Sequence, residues 1–136
     1  MARLNRMGKA DIATLALEPN EMLPAVAQGA IGIEICSDND DIRAMLAPLN
    51  CEATQIRTNA ERAFLNALDG SCRTPIAALA EIDGDKLTLR GEILRPDGSE
   101  RFTTARAGAL SDAVAMGRDA GAELRAKGGP DFFVGY

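Results

Sequence analysis

The chain has 136 residues, 46% of them apolar and 26% charged, which is the balance of a globular protein; at 4% aromatic with no Trp, its core must be aliphatic. A formal net charge of -5 without a basic stripe argues against nucleic acid as a partner. The three cysteines (Cys36, Cys51, Cys72) are odd in number and form no Cys-x-x-Cys pair, and there is no His, so a disulfide framework, a structural metal site and every Ser–His or Cys–His catalytic pairing are not expected. Chemistry here is left to carboxylates, arginines, a thiol or backbone groups. No apolar stretch approaches the roughly 18 residues that span a bilayer, and no signal-peptide pattern opens the chain, so no membrane association and a cytoplasmic location are expected.

In chain order, residues 2–7 read as the tail of a helix closed by Gly8, too short to stand alone. Glu18-Pro19-Asn20-Glu21 is a turn. Residues 31–35 alternate Ile-Gly-Ile-Glu-Ile and read as a buried strand, while Gln28-Gly29-Ala30 reads as a crossing strand or hinge with bare backbone. Ser37 or Asp38 is expected to cap a short helix over residues 39–46, followed by Pro48. A long helix is expected over residues 51–68, with Ala53, Ile56, Ala60, Ala63, Phe64 and Ala67 at helical spacing and Gly70 as its C-terminal cap. Three strands follow at residues 76–82, 86–94 and 101–107, joined by Asp83-Gly84 and by Arg95-Pro96-Asp97-Gly98-Ser99. Ser111 is expected to cap a last helix running to Arg125. From about residue 50 onward this is an α+β unit: a three-stranded antiparallel sheet covered on one face by helices. Residues 1–49 close into nothing by themselves.

Cys72 lies in the connection Asp69-Gly70-Ser71-Cys72-Arg73-Thr74-Pro75. Gly70 and Ser71 permit a sharp turn, Pro75 biases Thr74 toward extended backbone, and Arg73 favours a thiolate, a good nucleophile toward a soft carbon. The plainer reading is a small residue packed at a junction. Cys36, ending a strand, and Cys51, opening a helix, read as inert.

Several motifs carry a resemblance. Leu23-Pro24-Ala25-Val26-Ala27-Gln28-Gly29-Ala30-Ile31-Gly32-Ile33-Glu34, Thr58-Asn59-Ala60-Glu61-Arg62-Ala63-Phe64, Leu68-Asp69-Gly70-Ser71-Cys72-Arg73-Thr74-Pro75 and Pro96-Asp97-Gly98-Ser99 occur in this order, and Leu4-Asn5-Arg6-Met7-Gly8 precedes them. Together they resemble the porphobilinogen deaminase (hydroxymethylbilane synthase) family over essentially the whole chain. The resemblance implies that residues 1–23 end a second domain, that residues 24–49 comprise a hinge strand and a segment returning to a first domain, and that residues 50–136 form a third, cofactor-attachment domain. The first two pieces would be fragments of α/β domains like those of periplasmic binding proteins.

That family joins four porphobilinogen molecules into hydroxymethylbilane with release of ammonia, in tetrapyrrole biosynthesis. By resemblance, Cys72 carries a dipyrromethane primer as a thioether, Arg6 contacts its carboxylates, and Gln28, Gly29 and Ala30 line its course. The plainer readings are a solvated arginine and a crossing strand that needs small residues. The family's catalytic aspartate lies upstream, so no catalytic residue and no metal ligand is assigned here. Ala27 stands where the family commonly has Gly, and Arg3 where it usually has Gly. The expectation is a transferase whose C-terminal part is this chain, inactive and without cofactor when isolated. The full protein is expected to be a monomer and the fragment to self-associate through exposed surface. The alternative is a non-catalytic binding module of the same ancestry.

Overall fold

The structure, a computed structural model, describes residues 2–70 and 74–133. Three strands, β1 (Ile76–Asp83), β2 (Lys86–Leu94) and β3 (Arg101–Ala109), form an antiparallel sheet in the order β1-β2-β3. The register sets four cross-strand rows on one face: Ile76–Ile93–Phe102, Ala78–Gly91–Thr104, Ala80–Leu89–Arg106 and Ile82–Leu87–Gly108. Side chains alternate across a strand, so the apolar members of these rows fall together, and Ala78, Ala80, Leu87, Leu89 and Ile93 are buried.

Helices α3 (Glu52–Ala67) and α4 (Ala113–Gly128) cover that face and pack on each other. Phe64, fully buried, sits over Gly91: a Cβ there would come 2.6 Å from the Phe64 ring. Gly117 and Gly121 of α4 lie directly on the backbone of α3, where a Cβ on Gly121 would reach 2.7 Å from Phe64 O. The tail returns to this core: Phe132 is 1% exposed, packs with Phe102 at a ring-centroid distance of 5.4 Å, and lies 5.0 Å under the Arg95 guanidinium. The expected α+β unit, with helices on one face of the sheet, is therefore observed.

Local chemistry accounts for the element ends, with several corrections. Gly84 at φ +59° opens the two-residue turn between β1 and β2. The Asp97 carboxylate accepts from Ser99 N–H (2.9 Å) and Ser99 O–H (2.7 Å), closing the second hairpin. Asn39, not Ser37 or Asp38, caps α2 (Asp40–Leu46), its Oδ1 accepting from Ile42 N–H at 3.0 Å. Ser111 caps nothing: a 3-10 turn over Leu110–Asp112 leads into α4, which runs to Gly128 and stops at Gly129, φ +75°. At the end of α3 the left-handed residue is Asp69 (φ +52°) rather than Gly70. Gly70 is needed for space, since a Cβ would come 2.5 Å from Ile76 Cδ1.

Residues 31–35 are not a buried strand. Ile31 is 94% and Ile33 58% exposed, and the segment joins no ladder. Period-2 alternation specifies a strand only when the segment meets a sheet edge; the contact with the β1 edge ends at Ala25, and residues 31–35 pair with no strand among the described residues. The short helix α1 (Ala2–Arg6) ends as expected at Gly8, φ +66°. No helix among the described residues is long and apolar enough to cross a membrane.

On the free edge of the α/β interface, Arg106 of β3 reaches Asp119 (2.6 Å) and Glu123 (2.7 Å) of α4, and Glu123 also accepts from Thr104 and Lys127. Hydrogen bonds from Lys127, Thr104 and Arg106 hold the Glu123 carboxyl down at about 2, against its ordinary 4.5. A depressed carboxylate contributes stability in full above its unfolded value and loses it as pH falls toward the folded one. Urea midpoints should therefore decline between about pH 4.5 and 2. Glu123→Gln should flatten that decline, and parallel curves for the two proteins would refute the assignment.

Candidate functional site

The connection between α3 and β1 is fastened at both ends. On the α3 side Gly70 N–H donates to Leu65 O (3.0 Å) and Asp69 N–H to Asn66 O (3.1 Å), the paired bonds of a Schellman motif. Arg125, from the last turns of α4, adds a bond to Ala67 O (3.1 Å) and an ion pair with Asp69 (2.5 Å). Asp69 thus supports the turn, as expected, and is also held from a second helix. On the strand side Leu94 N–H donates to Pro75 O (3.0 Å), so Thr74 and Pro75 lead directly into β1. A cleft of about 240 Å³ lies beside these flanks, lined among others by Asp69, Thr74, Ile93, Leu124 and Arg125. Cys72, with Ser71 and Arg73, lies outside the described residues.

The segment expected to be a hinge strand is different. Only Ala25 bridges to Ala77, with Ala78 N–H donating to Pro24 O at 3.1 Å. The backbone then makes two turns, Gln28 N–H to Ala25 O and Ala30 N–H to Ala27 O, through positive φ at Ala27 (+57°) and Gly29 (+84°). Residues 28–30 are exposed turns, not a strand, because left-handed residues cannot continue a ladder. The left-handed angle also supplies a physical reason for a glycine at position 27.

What fastens this segment is Glu61, a residue without an assigned role in the sequence. Only 6% exposed on α3, it accepts from Ala27 N–H through Oε2 (2.7 Å) and from Ala80 N–H through Oε1 (2.8 Å). The one available signal was a carboxylate placed between Ala60 and Ala63 on the apolar face of the helix.

A second cleft, of about 760 Å³, opens between residues 27–35 and the start of α3. Ala30 lines it with Arg43, Cys51, Asn59 and Arg62. Arg43 is partly engaged, donating to Ser37 O at 2.5 Å, whereas Arg62 pairs with no other described residue. Cys51 departs from the inert reading: it is exposed at the N-terminal end of α3, and a hydrogen bond from Thr54 O–H (3.2 Å) pulls its thiol below the ordinary value. Of the other expected contacts, Arg6 is exposed at the end of α1 and Gln28 and Gly29 face solvent; none of the three lines either cleft.

Comparison with known proteins agrees with this architecture. Residues 55–126 match the model described as porphobilinogen deaminase, C-terminal domain, and residues 1–44 the model described as porphobilinogen deaminase, dipyromethane cofactor binding domain. The porphobilinogen deaminase of Paracoccus denitrificans is 53% identical over 133 residues, and those of Nitrobacter hamburgensis and Nitrobacter winogradskyi are 48% and 49% identical over 134. Each alignment covers 98% of this chain and 42% of the relative, so the chain spans less than half the length of these proteins. With both models matched in chain order, and the C-terminal one alone covering most of the unit built on the three-stranded sheet, the chain belongs to the porphobilinogen deaminase family.

Proposed function

We propose that this chain is the C-terminal part of an enzyme that condenses four porphobilinogen molecules into hydroxymethylbilane, releasing one ammonia at each addition. In this reading Cys72 anchors the dipyrromethane primer. The observation that carries it is the position of Cys72 between two pinned flanks, Asp69-Gly70 and Thr74-Pro75, inside a chain that matches the family from end to end. A loop fixed at both ends keeps a tethered group at one place while a product grows from it. A thioether suits that task, since a sulfur–carbon bond survives repeated turnovers that an ester would not.

The described residues beside the loop do not by themselves fit the acetate and propionate groups of the primer. Among the described residues, the guanidinium that lines the adjacent cleft, Arg125, is taken by Asp69 and Ala67 O. The carboxylate partners are therefore assigned to other domains, with Arg6 and the turn Gln28, Gly29 and Ala30 as this chain's contributions. Residues 1–23 would belong to a second domain, 24–49 to the hinge and the return to a first domain, and 50–136 to the third. Exposed Ile31, Ile33, Met45 and Leu49 support this division, since apolar side chains in that number ask for a cover. The cytoplasm is the proposed location and a monomer the proposed state of the full protein.

Intact mass spectrometry tests the reading. The chain expressed alone should carry no adduct. Joined to the remaining portion of the Paracoccus relative, it should gain a dipyrromethane-sized mass that Cys72→Ala abolishes together with turnover. Loss of neither in Cys72→Ala would overturn the anchor, and absence of the mass from the joined protein would overturn the enzyme reading.

A further inference from the structure

Ala27 marks a boundary in how the backbone is held. Before it the chain is tied to the β1 edge through Pro24 O and Ala25, and Val26 packs against the core. After it the next residues are exposed, reaching 94% at Ile31. Ala27 itself sits at φ +57°, where a side chain clashes with its own backbone. A strained residue keeps that geometry only if its surroundings impose it. The Ala27 N–H bond to the buried Glu61 carboxylate, at 2.7 Å, is the contact that does so. It is charge-assisted and therefore stronger than a bond between neutral groups. Glu61 is also fixed by its other oxygen to Ala80 N–H, so it cannot follow Ala27 if the segment swings away.

We infer that Glu61 and Ala27 form a conformational latch. With the bond made, Ala27 is held left-handed and the backbone leaves β1 in the direction seen here. With the bond broken, Ala27 relaxes to extended backbone and everything from Gln28 onward is re-aimed. The two states differ in one hydrogen bond and one backbone angle, which oppose each other: the bond favours the closed state and the strain favours the open one. This makes Ala27 a pivot whose set point the side chain at 27 and the acceptor at 61 adjust in opposite senses. The inference leans on the proposed function only for what lies beyond the pivot, namely the rest of a multidomain enzyme whose orientation the latch would set.

Amide hydrogen exchange on this chain, followed by NMR, tests it without turnover, so its failure leaves the enzymatic reading standing and the reverse holds too. Glu61→Gln keeps the shape but offers a single carbonyl oxygen where two acceptors stood. It should speed exchange of the amide at position 27 by about tenfold to a hundredfold, leaving the amides of Leu87 and Leu89 unchanged. Ala27→Gly removes the strain and should slow exchange at that same amide, whereas Ala27→Val increases the strain and should speed it. The latch is refuted if Glu61→Gln leaves amide 27 as protected as before or accelerates every amide together. It is equally refuted if Ala27→Gly and Ala27→Val shift exchange in the same direction. The two Ala27 variants decide the matter should Glu61→Gln fail to fold.

Discussion

Gly117→Ala is expected to destabilise the C-terminal unit by about 3 kcal/mol, the upper end of the overpacking range, and to lower its melting temperature by roughly 10–20 °C. The direction runs against helix propensity, which favours alanine over glycine by about 1 kcal/mol in a helix interior. Packing decides, because a Cβ at Gly117 would fall on the carbonyl oxygen of Ala60 and within 3.0 Å of Phe64 N, atoms of the α3 backbone that cannot rotate away. One turn on, a Cβ at Gly121 would meet the same helix, 2.6 Å from Ala67 Cβ. The two helices can meet at this distance only if both positions lack a side chain. Ala122→Gly, on the exposed face of α4, serves as the control. There the propensity term acts alone, so the helix should lose about 1 kcal/mol. Urea unfolding of both variants checks the pair, and a Gly117→Ala protein as stable as the parent would show that the helices stand further apart.

Phe64→Ala should cost about 3–5 kcal/mol, as expected for emptying a fully buried aromatic site. The more telling experiment couples it to Gly91. Gly91→Ala alone would drive a methyl group 2.6 Å from the Phe64 ring and cost about 1–3 kcal/mol. In a Phe64→Leu background the methyl group has room, and most of that cost should disappear. A double-mutant cycle should return a favourable coupling of about 0.5–3 kcal/mol. Strict additivity would mean that Gly91 is there for a reason other than the ring above it.

Glycine illustrates where sequence reasoning stops. Gly84 and Gly98 were legible, because a turn demands positive φ from residues next to one another in the chain. Gly91, Gly117 and Gly121 were not, because each is defined by atoms of another element. The same boundary runs through the candidate site. The loop around Cys72 stood out through local chemistry: a thiol beside an arginine, bracketed by glycine and proline. Glu61 did not, since its role arises from backbone amides 34 and 19 residues away. Asp69 was recognised as a turn residue, but its ion pair with Arg125 needed α4 to be in place.

Residues 31–35 show the converse. Their alternation is a strand signal, yet a strand exists only when a partner satisfies its backbone, and pairing is a property of two segments. By itself the sequence determined the three strands with both hairpin turns, the span of the long helix to within a residue or so at each end, and the family to which the chain belongs. These follow from side-chain periodicity, turn chemistry and motifs, all carried by near neighbours. Only the tertiary structure decided that a pair of glycines sets the distance between α3 and α4, that the supposed hinge strand is a pair of turns, and that one buried carboxylate holds it to the sheet. Those facts depend on contacts between residues far apart in the chain, which no local pattern encodes.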